Sequence, residues 1–227
     1  MQEYKDRFSI SSKVDFAIEA LRKKTVGMLE PMSFLIAVQF GRDPFLILIS
    51  CILSSRTKDT VTYPASLRLF EYAKTPEALI ELSLEKIESC IYPVGFYRQK
   101  AIALKKIAIQ LIEKHAGRVP DTFNHLVLLA GVGPKTANLV LGVGFGIPAL
   151  CVDIHVHRIC NRLGLITTKT PVETERELKK IVPKEYWIEL NRLLVMWGQN
   201  VCAPISPKCS SCVLNLICPR KNVLKSR

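Results

Sequence analysis

Three groups of residues carry reactive side chains at informative spacing. The first is Cys202-x6-Cys209-x2-Cys212-x5-Cys218, four thiols within seventeen residues. Thiolates crowded onto one loop suit a tetrahedral metal or a cubane iron–sulfur cluster. A zinc ribbon carries two close pairs split by a longer spacer; here one pair is close, which favours iron–sulfur. A metal site of either kind would staple the C-terminal segment. Lys208, beside Cys209, lies in the six-residue loop, where it could reach a phosphate. The stretch Pro204 to Lys208 would then be a binding loop held in shape by the metal.

The second group is Gly131-Val132-Gly133-Pro134-Lys135. Asn124 to Ala130 reads as a short helix, the two glycines as a tight turn, and Pro134 as the start of a helix running to about Val143. The amides of such a turn, beside a helix N-terminus, can hold a phosphate oxygen without reading a base. Lys135 stands in the first helical turn, where the dipole is positive and a cation is misplaced. The dipole and partial burial both favour the neutral amine, a nucleophile able to form a Schiff base with a sugar carbon. A surface lysine touching phosphate is the other reading, and the pattern leaves both open.

The third group follows Gly146-Ile147-Pro148. Val152, Val156, Ile159, Cys160 and Leu163 repeat at helical spacing, and Gly164 ends the run. Asp153 therefore stands where an N-cap belongs. It is either that cap alone or also an ionised carboxylate, held by backbone amides and close to Lys135. His155, Arg158 and Arg162 share the face away from the core, a basic strip suited to phosphate.

The elements that must position these groups are helical nearly throughout, about ten of them, with no convincing alternating strand, so the class is all-α. Asp43-Pro44, Thr75-Pro76 and Thr170-Pro171 each read as a cap followed by proline, and Glu173 completes a capping box with Thr170. Between Arg98 and Lys114 an apolar stripe of Ala101, Leu104, Ala108, Leu111 and Ile112 precedes Gly117; Lys184 to Trp197 reads as a helix stopped by Gly198. Lys221 to Arg227 reads as a basic tail.

The whole chain adds charge. It has 227 residues, 48% hydrophobic, enough for a core, and its net charge of +12 favours a polyanionic partner such as nucleic acid. The apolar runs Pro44 to Leu53 and Leu139 to Val152 are too short to span a membrane, and Met-Gln-Glu-Tyr-Lys-Asp lacks the apolar segment of a signal peptide. The expectation is an intracellular, soluble, DNA-associated monomer without membrane partners, cytoplasmic or nucleoid in a prokaryote. The scattered Cys51, Cys90, Cys151 and Cys160 fit buried free thiols.

Taken in this order, Leu129-Ala-Gly-Val-Gly-Pro-Lys135-Thr-Ala-Asn138, Val152-Asp-Ile-His-Val-His-Arg158 and the four cysteines resemble the endonuclease III family of DNA glycosylases, within the helix-hairpin-helix superfamily. The match runs from about Asp43 to Pro219. The resemblance implies two all-α domains: a six-helix barrel over 37–146 carrying the hairpin, and a cluster domain joining 1–36 to 147–227. DNA would lie across the cleft between them. Lys135 matches the family's Schiff-base lysine, Asp153 its invariable aspartate, and Cys202, Cys209, Cys212 and Cys218 the ligands of its [4Fe–4S] cluster. Gly131, Gly133, His155, Arg158 and Lys208 would contact the DNA backbone. Phe96, in Tyr92-Pro-Val-Gly-Phe-Tyr97, looks like the wedge that fills the gap left by an extruded nucleotide, its alternative being a core aromatic.

The activity so implied is a bifunctional glycosylase and apurinic/apyrimidinic-site lyase of base excision repair. Its partner would be double-stranded DNA carrying an oxidised or ring-saturated pyrimidine or an abasic site. The chain departs from the family pattern at four places. Arg56 stands where Gln commonly contacts the opposite strand, and Arg donates to guanine but cannot accept. Ile154 replaces a common Thr, Ala130 a usual Pro, and Val127 a Glu of many bacterial members. The alternatives are a monofunctional mismatch glycosylase, which typically lacks the hairpin lysine, and a non-catalytic, metal-stapled DNA-binding protein.

Overall fold

Asp43-Pro44, Thr75-Pro76 and Thr170-Pro171 each start a helix. Asp43 Oδ1 accepts from the amides of Phe45 (2.8 Å) and Leu46 (3.0 Å) ahead of Pro44. Thr75 accepts from Ala78 and Thr170 from Glu173. Glu173 reaches back in turn: its carboxylate accepts from the amide of Lys169 (2.9 Å) and also interacts with the backbone of Thr170. In the computed structural model, which describes residues 9–227, all regular structure among those residues is helical.

The order is α1 (Ile10–Lys24), α2 (Met32–Gln39), α3 (Pro44–Ser54), α4 (Asp59–Phe70), α5 (Pro76–Glu81), α6 (Leu84–Ile91), α7 (Tyr97–His115), α8 (Phe123–Leu126) and α9 (Pro134–Leu139). A π-helical segment, Val140–Phe145, continues α9; then come α10 (Ile154–Arg162), α11 (Pro171–Ile181), a 3-10 turn (Lys184–Tyr186) and α12 (Trp187–Asn200). The chain divides into two compact units, Pro31–Ile147 and the pairing of residues 9–30 with Pro148–Arg227.

In the unit 31–147, α3 is the centre. Every residue from Phe45 to Leu53 is buried, which a helix apolar on all sides requires. Helices α2, α4, α7, α9 and the π segment pack around it. The segment 31–36, which the sequence assigned to the other domain, belongs here. Helix α2 buries Ile36 and Ala37, and packs on α3 and α4.

In the other unit, Val14, Ala17, Ile18 and Leu21 of α1 meet Val156, Ile159 and Cys160 of α10 and Leu190, Leu193, Leu194 and Trp197 of α12. Cys202, Cys212 and Cys218 pack at the edge of this core. Arg22 clasps Glu189 with two bonds of 2.7 Å, and Arg192 pairs with Glu30. Such partly exposed pairs contribute ~0–1 kcal/mol each, so the apolar face holds α1 in place.

Two helix ends differ from the sequence reading. Helix α12 runs through Gly198 to Asn200 instead of stopping there. A Cβ at 198 would lie 2.3 Å from His155 Nδ1, so this glycine serves the close approach of α10 and α12. The hairpin helix widens into a π turn at Val140, and Arg42 donates to the carbonyls of Gly142 (3.1 Å) and Val143 (2.9 Å) there. Gly144 allows the approach of Pro44, whose Cα would sit 3.3 Å from an added Cβ.

Candidate active site and cysteine cavity

Leu126, Leu129 and Val132 are buried and fasten the hairpin to the interior of its unit. Val132 N returns to Leu129 O (3.1 Å), whereas the amides of Gly131 and Gly133 donate to no acceptor among the described residues. Gly131 has φ +73°, a left-handed conformation that favours glycine. Gly133 is extended, with φ −99° and ψ 177°, so its backbone would admit any residue. A Cβ there would meet nothing within 4 Å, so the space beside its Cα is open. Gln110 of α7 clamps the entrance, with Oε1 accepting from Ala130 N (2.8 Å) and Nε2 donating to Leu128 O (3.3 Å). Sequence reasoning missed Gln110, which reads only as a polar position on an amphipathic helix.

Lys135 follows Pro134 at the start of α9, as expected, and it is exposed, so the partial burial expected of it is not seen. Beneath it on α3 lies Cys51, whose thiol burial pushes up to about 12 while the charge of Lys135 works in the opposite direction. That thiol is a neutral, inert neighbour of the amine.

Arg56 at φ +53° and Phe96 at φ +58° are among the exposed residues of the same unit that sit in left-handed backbone. Phe96 is 59% exposed, which removes the core-aromatic alternative.

In the unit 9–30 plus 148–227, Asp153 is the N-cap of α10. Its Oδ1 accepts from His155 N and Val156 N, both at 2.9 Å, and the residue is buried. Capping occupies one oxygen, so the cap and the functional carboxylate are compatible.

The basic strip is corrected. Arg162 is 8% exposed, and its guanidinium donates to Ala203 O (2.7 Å), Pro204 O (2.7 Å) and Cys202 Sγ (3.3 Å). Arg158 donates to Cys202 O (2.9 Å) and Gly198 O (3.2 Å), and burial lowers it from its ordinary value. The carbonyls at and after the end of α12 lack helical partners, and these two arginines satisfy them. His155 is half-buried with Nδ1 3.1 Å from Arg158 Nη2. Lys208 is exposed on the loop.

The four C-terminal cysteines are free thiols lining one cavity, together with Arg162, Lys208, Asn215 and Arg220. Burial pushes Cys218 up to about 11. A single tetrahedral ion would need the four sulfurs drawn around one point. A cubane spreads four thiolates over a larger body. Arg220 Nε in the cavity wall is a buried donor without an acceptor, and the Trp197 side chain approaches Cys212 as a donor and works against the burial that raises that thiol. A chamber of four thiols edged by an arginine donor without an acceptor fits an anionic thiolate cluster.

Residues 49–184 match the HhH-GPD superfamily of base excision DNA repair proteins. The chain is 46% identical to Endonuclease III of Thermotoga maritima over 196 residues, covering 84% of this chain and 92% of that protein. It is 36% identical to Endonuclease III of Escherichia coli over 178 residues, covering 78% and 84%. Against Endonuclease III homolog 1, chloroplastic, of Arabidopsis thaliana, 42% identical, it spans 77% of its own length and 48% of the relative's. Among solved structures, a non-covalent Endonuclease III–DNA complex aligns with a TM-score of 0.82 and 34% identity over 92% of this chain and 95% of that one. A trapped Endonuclease III–DNA covalent intermediate aligns with a TM-score of 0.80 and 33% identity, over 92% and 96%. The chain belongs to the endonuclease III family of the HhH-GPD superfamily. Among the described residues, no helix is long and apolar enough to cross a membrane.

Proposed function

We propose that this protein is a bifunctional DNA glycosylase and apurinic/apyrimidinic-site lyase that removes oxidised or ring-saturated pyrimidines from duplex DNA. The observation that carries the reading is Lys135, exposed at a helix start beside a turn whose glycine amides have no acceptor among the described residues, in a family with a member trapped covalently on DNA. The turn amides hold backbone phosphate, which positions without reading sequence. Extruding the damaged nucleotide costs ~a few kcal/mol, less when its pairing is already impaired. Phe96 fills the vacated stack and Arg56 addresses the opposite strand.

Lys135 Nζ, having given up a proton, attacks C1′ of the sugar. The N-glycosidic bond breaks, its electron pair leaves with the base, and the base takes up a proton. Ring opening leaves an imine between Lys135 and C1′. The imine acidifies the C2′ proton, whose loss expels the 3′ phosphate and cuts the strand. Asp153 supplies the negative charge that stabilises the cationic sugar. Cys202, Cys209, Cys212 and Cys218 would hold a [4Fe–4S] cluster as a structural staple for the loop bearing Lys208.

Borohydride reduction during turnover tests the central step. Duplex carrying an abasic site or thymine glycol should yield a stable protein–DNA adduct, and Lys135→Ala should abolish it. An adduct of full yield in that variant would reject the assignment. The metal has its own readout: purified protein should absorb in the visible through sulfur-to-iron charge transfer, and Cys212→Ser should bleach it. A colourless protein holding zinc would overturn the cluster.

A further inference from the structure

Lys100 takes no part in the groups above, yet it is placed where an amine is expensive. It lies on α7, four residues beyond Phe96, and is 8% exposed. Its Nζ donates to Leu53 O (2.7 Å), Ser55 O (2.6 Å) and Thr57 Oγ1 (3.2 Å). These three neutral oxygens use all three protons of an ammonium. Burial pushes Lys100 down to about 8. An apolar side chain would fill the space without that desolvation cost, so packing alone does not account for a lysine.

The groups that the amine bridges flank Arg56 and Phe96, both in left-handed backbone. Leu53, Ser55 and Thr57 surround Arg56. The Thr57 hydroxyl donates to Ser55 O (3.3 Å) and accepts from Gly95 N (3.1 Å), directly before Phe96. The two loops touch, since a Cβ on Gly95 would lie 3.2 Å from Thr57 Oγ1 and 3.4 Å from Arg56 O. Non-glycine residues hold such backbone only where the surroundings over-determine it. The relay from Lys100 through Thr57 to Gly95 supplies that determination at both residues together.

We propose that Lys100 is a positioning residue that locks the Arg56 and Phe96 loops into one unit, so that both side chains enter the DNA in fixed register. The inference rests on the reading of Arg56 and Phe96 as DNA contacts. A side chain misplaced by about an ångström can cost up to about 100-fold in rate.

The test is single-turnover excision from a thymine-glycol duplex by Lys100→Met, Thr57→Val, Phe96→Ala and the double variants of Phe96→Ala with each of the first two. Lys100→Met and Thr57→Val should each slow excision about tenfold or more. Combined with Phe96→Ala, each should add less than about twofold, because residues acting through one another are not additive. A general packing defect would instead multiply with the loss of Phe96. Fluorescence of 2-aminopurine beside the lesion gives a second readout: the wild type should unstack the probe, and Lys100→Met should not. If Lys100→Met fails to fold, Thr57→Val carries the same comparison. Multiplicative losses, or unchanged rates in both relay variants, overturn the proposal while borohydride trapping by the wild type stands. A wild type that neither excises nor traps overturns the proposed function itself, and this inference with it.

Discussion

At the scale of single residues, Asp153 separates two roles that one carboxylate combines. Its Oδ1 satisfies two amides at the start of α10, a role that Asn fills nearly as well. Its charge is what the proposed chemistry uses. Asp153→Asn should therefore leave thermal denaturation almost unchanged and slow excision about 100-fold or more. Asp153→Ala should lose about a further 1 kcal/mol of stability with the cap. Wild-type excision rates in Asp153→Asn would reduce the residue to a cap. The sequence showed which residue types were in play here, because a cap, a hairpin lysine and a cysteine spacing are local patterns. It did not show the partners of Gln110, Lys100, Arg158 and Arg162. Their contacts join residues far apart in the chain, such as Arg162 to Ala203 and Lys100 to Leu53, and no periodicity marks such pairs. Arg158 and Arg162 were misread for that reason: a helical wheel shows which face lacks apolar residues, not what stands opposite it.

At the scale of elements, the same limit explains the helix ends. Starts were legible because Asp43, Thr75 and Thr170 announce themselves through side-chain chemistry followed by proline. Gly198 was read as a stop because glycine commonly stops helices, but here it lets α12 approach α10. Gly198→Ala gains helix propensity of ~1 kcal/mol yet forces a methyl into His155 and Arg158, a clash of ~1–3 kcal/mol. The clash also disturbs the guanidinium that holds Cys202 O. A lowered melting temperature is expected, by about 2–4 °C per kcal/mol, and a raised one would show that the helices can part freely. Gly133→Ala is the contrasting case. Extended backbone and open space make it nearly neutral for stability, so any loss of DNA affinity there reports on the ligand side of the turn.

At the scale of the whole molecule, thirty-two basic against twenty acidic residues set the net charge of +12. Part of that charge is spent inside, since Lys100 and Arg162 are buried. The exposed remainder should make binding to undamaged duplex strongly salt-dependent. Five to ten phosphates neutralised would give a log–log slope of about −5 to −9. A flat response would mean that the backbone contributes little. The all-α class and the membership of the cysteines in one cavity were legible from sequence. The domain boundary was placed at 36/37 rather than 30/31, because the periodicity of α2 (Met32–Gln39) does not say which neighbours it packs against.

The pairing of residues 9–30 with 148–227 has a consequence for biosynthesis. Helix α1 leaves the ribosome early, but Val156, Ile159, Leu193 and Leu194, which cover its apolar stripe, are translated only after the entire intervening unit. At ~5–20 residues per second the stripe of Val14, Ile18 and Leu21 waits on the order of ten seconds for its partners. During that interval the middle of the chain can collapse on its own, while the leading helix is a natural client for a chaperone.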